Sequence, residues 1–210
     1  MFIGLTQRVE WLPDRGERRD CLDQAWTTFF CSHGFVPIPI PNRIDVVDTL
    51  FDQIGIGGVI LTGGNDLDVL DEPRNPAPER DALERKLIDE CSQRNLPVLG
   101  VCRGMQMLVT YHGGKLSPVE GHAGTRHPLS GNNGCHLKLD DRVEINSFHD
   151  YGIHREDMGE EFTAAALAPD DTVEAVAHRR LKQWGIMWHI ERGNPDSRDA
   201  QLLNQLFRKA

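Results

Sequence analysis

Long apolar runs are missing from this chain: none approaches the ~18 residues that a membrane-spanning helix needs, and the opening MFIGLTQRVEW turns charged too early for a secretory signal. A cytoplasmic protein without membrane association is therefore expected. A disulfide framework is missing too. Cys21, Cys31, Cys91, Cys102 and Cys135 are odd in number, unpaired in spacing and contain no CxxC, which argues against a zinc ribbon and for reduced thiols. Basic residues are in deficit: 23 Lys and Arg face 32 Asp and Glu, a formal net charge of −9. That balance disfavours a nucleic-acid partner and leaves room only for a local basic pocket around one phosphorylated small molecule. Internal repeats and low-complexity segments are absent.

What is present is an ordinary globular composition, 39% hydrophobic and 26% charged, able to bury a core without staples. A length of 210 residues fits one domain spanning 1–210. Short apolar runs alternate with helical spacings, the pattern of a mostly parallel sheet covered on both faces. Phe2–Leu5, Phe35–Ile40, GVILTGG (58–64) and LPVLGV (96–101) read as strands. Leu22, Trp26, Phe29 and Phe30 mark a first helix, and 46–54 a short helical segment. DEPRNPAPER (71–80) reads as a proline-rich loop, and Leu83, Leu87, Ile88 and Cys91 as a helix face. A second face, Met105, Leu108 and Val109, runs to the Gly113–Gly114 break. HLKLDD, RVEINSF, TVEAVA and WGIMWHI suggest an antiparallel extension, and a closing helix follows Pro195 with Asp196 or Ser197 as cap.

The chemistry centres on Gly100-Val101-Cys102-Arg103-Gly104, a buried strand, a sharp turn and a helix start: a nucleophile elbow. Small residues on either side let strand and helix approach while Cys102 takes a strained conformation that presents its sulfur. The helix N-terminus favours an anion there, so the thiol is expected to ionise more readily than a free cysteine. Without that context a buried cysteine would simply be a small core residue. An oxyanion needs donors; the Arg103 N–H is one, and Gly63 and Gly64, at another strand end, could supply the second. For the base, His189 stands out from His122, His127, His136 and His149 because Glu191 lies two residues on, placed to fix its tautomer.

Three ordered motifs, LTGGND, GVCRGMQ and WHIE, together resemble the class I glutamine amidotransferase superfamily over nearly the whole chain. TGGNDL with ERDALE, then VLGVCRGMQMLVTYHGG and RHPL, is similar to its γ-glutamyl hydrolase branch, which includes γ-glutamyl-γ-aminobutyrate hydrolases. The resemblance implies a flavodoxin-like three-layer α/β sandwich and a thioester that carries the γ-glutamyl group on Cys102. It assigns Cys102, His189 and Glu191 to a triad and Gly64 and Arg103 to the oxyanion hole. Gln106 would hold the glutamyl moiety, and Asn146-Ser147-Phe148-His149, similar to the family's NSxH loop, offers Ser147 and Phe148 as substrate contacts. Ile190 stands where many relatives have proline, which removes a rigid turn but no functional group. GLTQRVEW and ERRDCLDQAW resemble a small group within the branch that hydrolyses γ-glutamyl-CDP-amidate, on the route supplying phosphoramidate to bacterial surface polysaccharides. Arg8, Arg18 and Arg19 would then meet phosphate, against the plainer reading of a solvated helical face.

The leading expectation is thus a stand-alone hydrolase acting on a small γ-glutamyl conjugate, with no cofactor. A glutaminase subunit passing ammonia to a synthetase partner would use the same triad. A catalytically silent ligand-binding member of the fold is the alternative from another class. No metal is expected, because His122 and His127 lack further ligands at recognisable spacing. The leaving amine and the oligomeric state are not legible.

Overall fold

The computed structural model describes residues 1–131, 135, 137, 139, 144–192 and 197–208. The chain runs β1 (Phe2–Thr6), β2 (Arg8–Leu12), β3 (Glu17–Cys21), α1 (Gln24–Ser32) and β4 (Val36–Ile40), then a helical stretch over 44–54 that includes α2 (Val47–Thr49). β5 (Val59–Leu61), α3 (Pro78–Gln93), β6 (Val98–Val101) and α4 (Arg103–Tyr111) follow. After them come β7 (Ser117–Pro118), β8 (Ala123–His127), β9 (Ser130–Gly131), β10 (Ile145–Phe148) and β11 (Tyr151–Gly152). β12 (Phe162–Leu167), β13 (Val173–His178), β14 (Gln183–Ile186) and α5 (Ser197–Phe207) complete it.

An eight-stranded sheet in the order β4-β1-β5-β6-β14-β13-β12-β9 organises the molecule. The first five strands in that order pair in parallel, and the last three join them antiparallel. Parallel strands buried on both faces must be apolar on both sides. Leu99 and Val101 of β6 accordingly enter the core that holds Trp26, Phe29 and Phe30 of α1 and Leu202, Leu203 and Leu206 of α5. Val98 enters the opposite core, with Leu83 and Leu87 of α3 and Met105 and Leu108 of α4. This is an α/β fold with a mostly parallel central sheet and helices on both faces. An isolated helix of 11 residues such as α5 is marginal in water. Burial of Leu202, Leu203, Leu206 and Phe207, each worth ~1.5–3 kcal/mol, holds it on the sheet.

Several sequence expectations are corrected. Residues 17–21 are not a helical face: β3 pairs with β2 in a hairpin, Arg8 opposite Cys21 and Trp11 opposite Arg18, because this polar segment is exposed and no apolar face dictates a helix. α1 starts only at Gln24, where the Asp23 carboxylate accepts from the Ala25 N–H at 2.9 Å. The proline-rich loop ends sooner than expected, because Pro78 occupies the first turn of α3, where a missing N–H costs nothing. The WGIMWHI strand stops at Ile186, so His189 and Glu191 lie in a turn beyond it. β12, a run of buried small residues, has no counterpart among the expected strands. Most of HLKLDD, His136 included, the start of RVEINSF, Pro195 and the cap candidate Asp196 lie outside the described residues. None of the described helices is long and apolar enough to cross a membrane.

Candidate active site

Parallel pairing of β1, β5, β6 and β14 brings their carboxyl ends to one edge of the sheet, where α/β folds place their sites. Arg8 follows β1, Gly63 and Gly64 follow β5, Cys102 follows β6 and His189 follows β14. Residues that span the chain from 8 to 191 thus converge through topology alone.

Cys102 sits at φ 53°, ψ −110°, a left-handed region that a side chain enters only under constraint. The constraint is steric. A Cβ on Gly100 would lie 2.4 Å from the Gly104 carbonyl carbon, and one on Gly104 only 1.9 Å from the Leu61 carbonyl oxygen. Strand, turn and helix therefore interlock around the cysteine. The thiol is largely enclosed, 7% exposed, rather than standing on the surface as an elbow nucleophile would suggest.

His189 and Glu191 reach it. Glu191 Oε1 lies 2.6 Å from His189 Nδ1, which leaves Nε2 for Cys102, whose sulfur is near enough to raise the ring's pKa. Burial pulls the imidazole pKa down, but the bonds to Cys102 and Glu191 outweigh it and lift the value to about 9. His189 is also gripped from behind by Asn146, which sequence reasoning passes over although it opens the NSFH motif. Asn146 Oδ1 accepts from the His189 N–H at 2.8 Å, and its Nδ2 donates to the His189 carbonyl at 2.9 Å. Phe148 packs edge-on against the His189 ring at 5.6 Å, with the Arg192 guanidinium over its other side at 4.8 Å.

The oxyanion side is equally held. First-turn N–H groups of a helix have no intrahelical partner, so the Arg103 N–H at the start of α4 is available. Gly63 passes so close to the base that a Cβ there would fall 2.6 Å from His189 Cε1, and Gly64 has φ +83°. A buried ionic network fixes both segments. Arg80 donates to the carbonyls of Thr62 at 2.6 Å, Gly63 at 3.2 Å and Gly64 at 2.6 Å. It pairs with Glu84 at 2.9 Å. The Arg103 side chain, fully enclosed, pairs with both Glu84 and Asp81, and Thr6 Oγ1 donates to Glu84 at 2.8 Å. Burial would raise the Glu84 carboxyl, but the Arg103 and Arg80 guanidiniums overcome this and hold it low. Burial lowers Arg80 to about 10, still protonated at neutral pH.

The other sequence candidates divide. Gln106 is buried, its Nε2 donating to the Tyr151 carbonyl at 2.8 Å. Ser147 is fully buried and its hydroxyl makes no hydrogen bond among the described residues. Arg8 lies against Gly64 and lines a cleft with Trp26, Gly63, His189, Glu191 and Arg192. Arg18 and Arg19 are absent from that lining: they pair with Glu79 at 2.9 Å and Glu17 at 2.7 Å.

Fold and site together define a class I glutamine amidotransferase-like protein, and the chain belongs to the peptidase C26 family, whose model matches residues 2–191. It is 36% identical over 99% of its length to a γ-glutamyl-CDP-amidate hydrolase of Campylobacter jejuni, covering 98% of that protein. It is 28% identical to one of the subunits of the glutamine-hydrolysing GMP synthase of Methanopyrus kandleri, over 72% of this chain and 74% of that one. In fold it is similar to a putative GMP synthase subunit from Thermoplasma acidophilum, with a TM-score of 0.73 at 18% identity over 99% and 93% of the two chains.

Proposed function

We propose that the protein is a cysteine-dependent hydrolase that releases glutamate from a γ-glutamyl amide, with γ-glutamyl-CDP-amidate as its substrate. The observation that carries this is the Cys102–His189–Glu191 array at the β6 elbow, set beside the Arg103 N–H and the Gly63–Gly64 turn. The Cys102 thiolate attacks the γ-carbonyl, and the oxyanion is met by the N–H groups of Arg103 and Gly64. His189 gives its proton to the departing nitrogen and leaves a γ-glutamyl thioester on Cys102. The neutral imidazole then takes a proton from water as the water attacks, releasing glutamate and restoring the pair. Glu191 holds the ring in the tautomer this needs. Gln106 and Phe148 bound the glutamyl pocket.

The leaving group is read from Arg8. It stands at the mouth of the cleft, half exposed and paired only with the equally exposed Glu10. Such a pair is worth little and gives way readily to phosphate, which binds a guanidinium through charge-assisted hydrogen bonds. Arg18 and Arg19 do not line the cleft and take no part. The test compares kcat/KM for γ-glutamyl-CDP-amidate, γ-glutamyl-γ-aminobutyrate and glutamine. The first should be favoured, with Arg8→Ala cutting that preference roughly 10-fold or more and Arg18→Ala leaving it intact. Equal or better use of glutamine, stimulated by a synthetase, would instead support a glutaminase subunit, the reading favoured by the likeness to the GMP synthase protein of Methanopyrus kandleri.

A pH dependence follows from His189. Its folded-state value is raised from 6.5 to about 9, so the imidazolium that protonates the leaving nitrogen is present below about 9 and lost above it. By linkage the same group stabilises the fold fully below about 6.5, and that contribution disappears as pH rises through about 9. The kcat–pH profile should fall through an alkaline limb near that value, and Glu191→Gln should move the limb to lower pH. A limb that stays in place in Glu191→Gln would contradict the assigned role of the carboxylate.

A further inference from the structure

A second constellation of ionisable side chains lies outside the catalytic array. Glu174, on β13 and wholly buried, is approached by His122 Nδ1 at 3.3 Å, His127 Nε2 at 3.6 Å and His149 Nε2 at 3.4 Å from its Oε1. His122 and His149 are also buried, and their rings lie 4.7 Å apart, with His127 4.9 Å from His122. The ligand atoms of His122, His127 and Glu174 all fall within 4.8 Å of one another. None of the three inward nitrogens nor either Glu174 oxygen has a hydrogen-bond partner among the described residues.

Each histidine is oriented from outside. His122 Nε2 contacts Asp170 Oδ2 at 3.0 Å, His149 Nδ1 the Tyr151 carbonyl at 3.1 Å and His127 Nδ1 the Pro128 carbonyl at 3.2 Å. A carbonyl only accepts, so the outer nitrogens of His127 and His149 carry hydrogens, and their inward nitrogens present lone pairs when the rings are neutral. This is the outer-shell pattern of metal-bound histidines, where the second nitrogen donates to a carboxylate or backbone carbonyl. Lone pairs converging on a buried carboxylate repel unless a proton or a metal cation lies between them.

Spacing selects the cation. The separations of 3.3–3.6 Å exceed the ~2.7–2.9 Å of a charge-assisted hydrogen bond. They match the roughly 3.4 Å edge of a tetrahedron whose metal–ligand bonds are about 2.0–2.2 Å. Imidazole with carboxylate suits zinc and its neighbours rather than magnesium or calcium. We infer that His122, His127 and Glu174 hold a divalent transition-metal ion of the zinc class. His149 Nε2, 3.4 Å from Glu174 Oε1, stands beside this set. The ion joins the separate β8–β10 sheet to β13 of the main sheet, and β10 carries Asn146 and Phe148, which hold His189. The other histidine pair, His112 and His178 with Glu161, is unlike this: His112 bonds Gln183 at 2.8 Å, His178 Nδ1 accepts two backbone N–H groups, and Glu161 is exposed.

The experiment uses the full chain without a polyhistidine tag. Elemental analysis after gel filtration should find one zinc-class ion per chain, and Co²⁺ added to the chelator-stripped protein should give the visible bands of tetrahedral cobalt. Glu174→Gln and His127→Ala should lose both signals, and Glu161→Gln should keep them. Chelator should lower the wild-type Tm by several degrees and leave the Glu174→Gln Tm unchanged. A wild-type protein that carries no metal and gives no cobalt spectrum overturns the inference without reliance on any variant. So does metal retained in both Glu174→Gln and His127→Ala.

Discussion

Replacing Cys102 with Ala should abolish glutamate release, a loss of roughly 10⁴-fold or more, because Cys21, which also lines the cleft, has its thiol pushed up by burial and by Glu10. The fold should survive. The substitution removes one sulfur atom from a site interlocked by the backbone at Gly100 and Gly104, and the strained φ of 53° is no worse for Ala than for Cys. Rates of glutamate release are to be measured beside thermal melting, with Cys91→Ala as control. Cys91 is buried in the α3 core and burial pushes its thiol up to about 12, so it offers no nucleophile. Turnover within 10-fold of wild type in Cys102→Ala, with the fold intact, would remove the proposed mechanism.

Glu84→Gln should produce the largest stability effect among the charged residues. Glu84 is completely enclosed between Arg80 and Arg103 and also accepts from Thr6. Its neutralisation leaves two buried guanidiniums sharing Asp81 alone, and breaking such a buried set costs about 3–5 kcal/mol. The network also positions the site: Arg80 holds the Thr62–Gly64 carbonyls, and Arg103 anchors the elbow helix. The kcat of the folded fraction should therefore fall while KM changes little. Equilibrium denaturation and kcat should be compared with Lys86→Ala. That change breaks a part-buried i,i+4 pair with Glu90, whose carboxylate keeps Arg94 as a partner, and should cost under ~1 kcal/mol. A Glu84→Gln protein as stable as Lys86→Ala would mean that the network is not what secures the oxyanion segments.

The parallel half of the sheet is legible because its strands are apolar on both faces, and a run such as LPVLGV has no other home. The elbow is legible because two glycines flank one cysteine for a reason that backbone sterics enforce. The β2–β3 hairpin is not: Glu17 to Asp20 are exposed and only Cys21 is partly buried, so neither the helical nor the strand period is imprinted on it, and its charges mimic a solvated helix. Arg103 reads from sequence as an N–H donor alone, since a charged side chain is seldom fully enclosed, and only the fold brings Asp81 and Glu84 to it. Asn146 stands in the NSFH motif yet yields to its neighbours there, because a side chain that grips a backbone leaves no chemical signature. The histidine cluster draws on β8, the end of β10 and β13. No local spacing could reveal it.

The claim at the centre is that Cys102 alone carries the γ-glutamyl group. A glutamine-derived chloroketone, which places an electrophile where the γ-carbonyl sits, tests it by peptide mass spectrometry after partial inactivation. Cys31 is exposed and Cys21 partly so, whereas Cys102 is buried, so simple accessibility would label Cys31 first. The account predicts a single adduct on the peptide containing Cys102, formed in step with loss of activity, suppressed by substrate and slowed by His189→Ala. Inactivation that tracks labelling of Cys31 or Cys21 while Cys102 stays unmodified would contradict it.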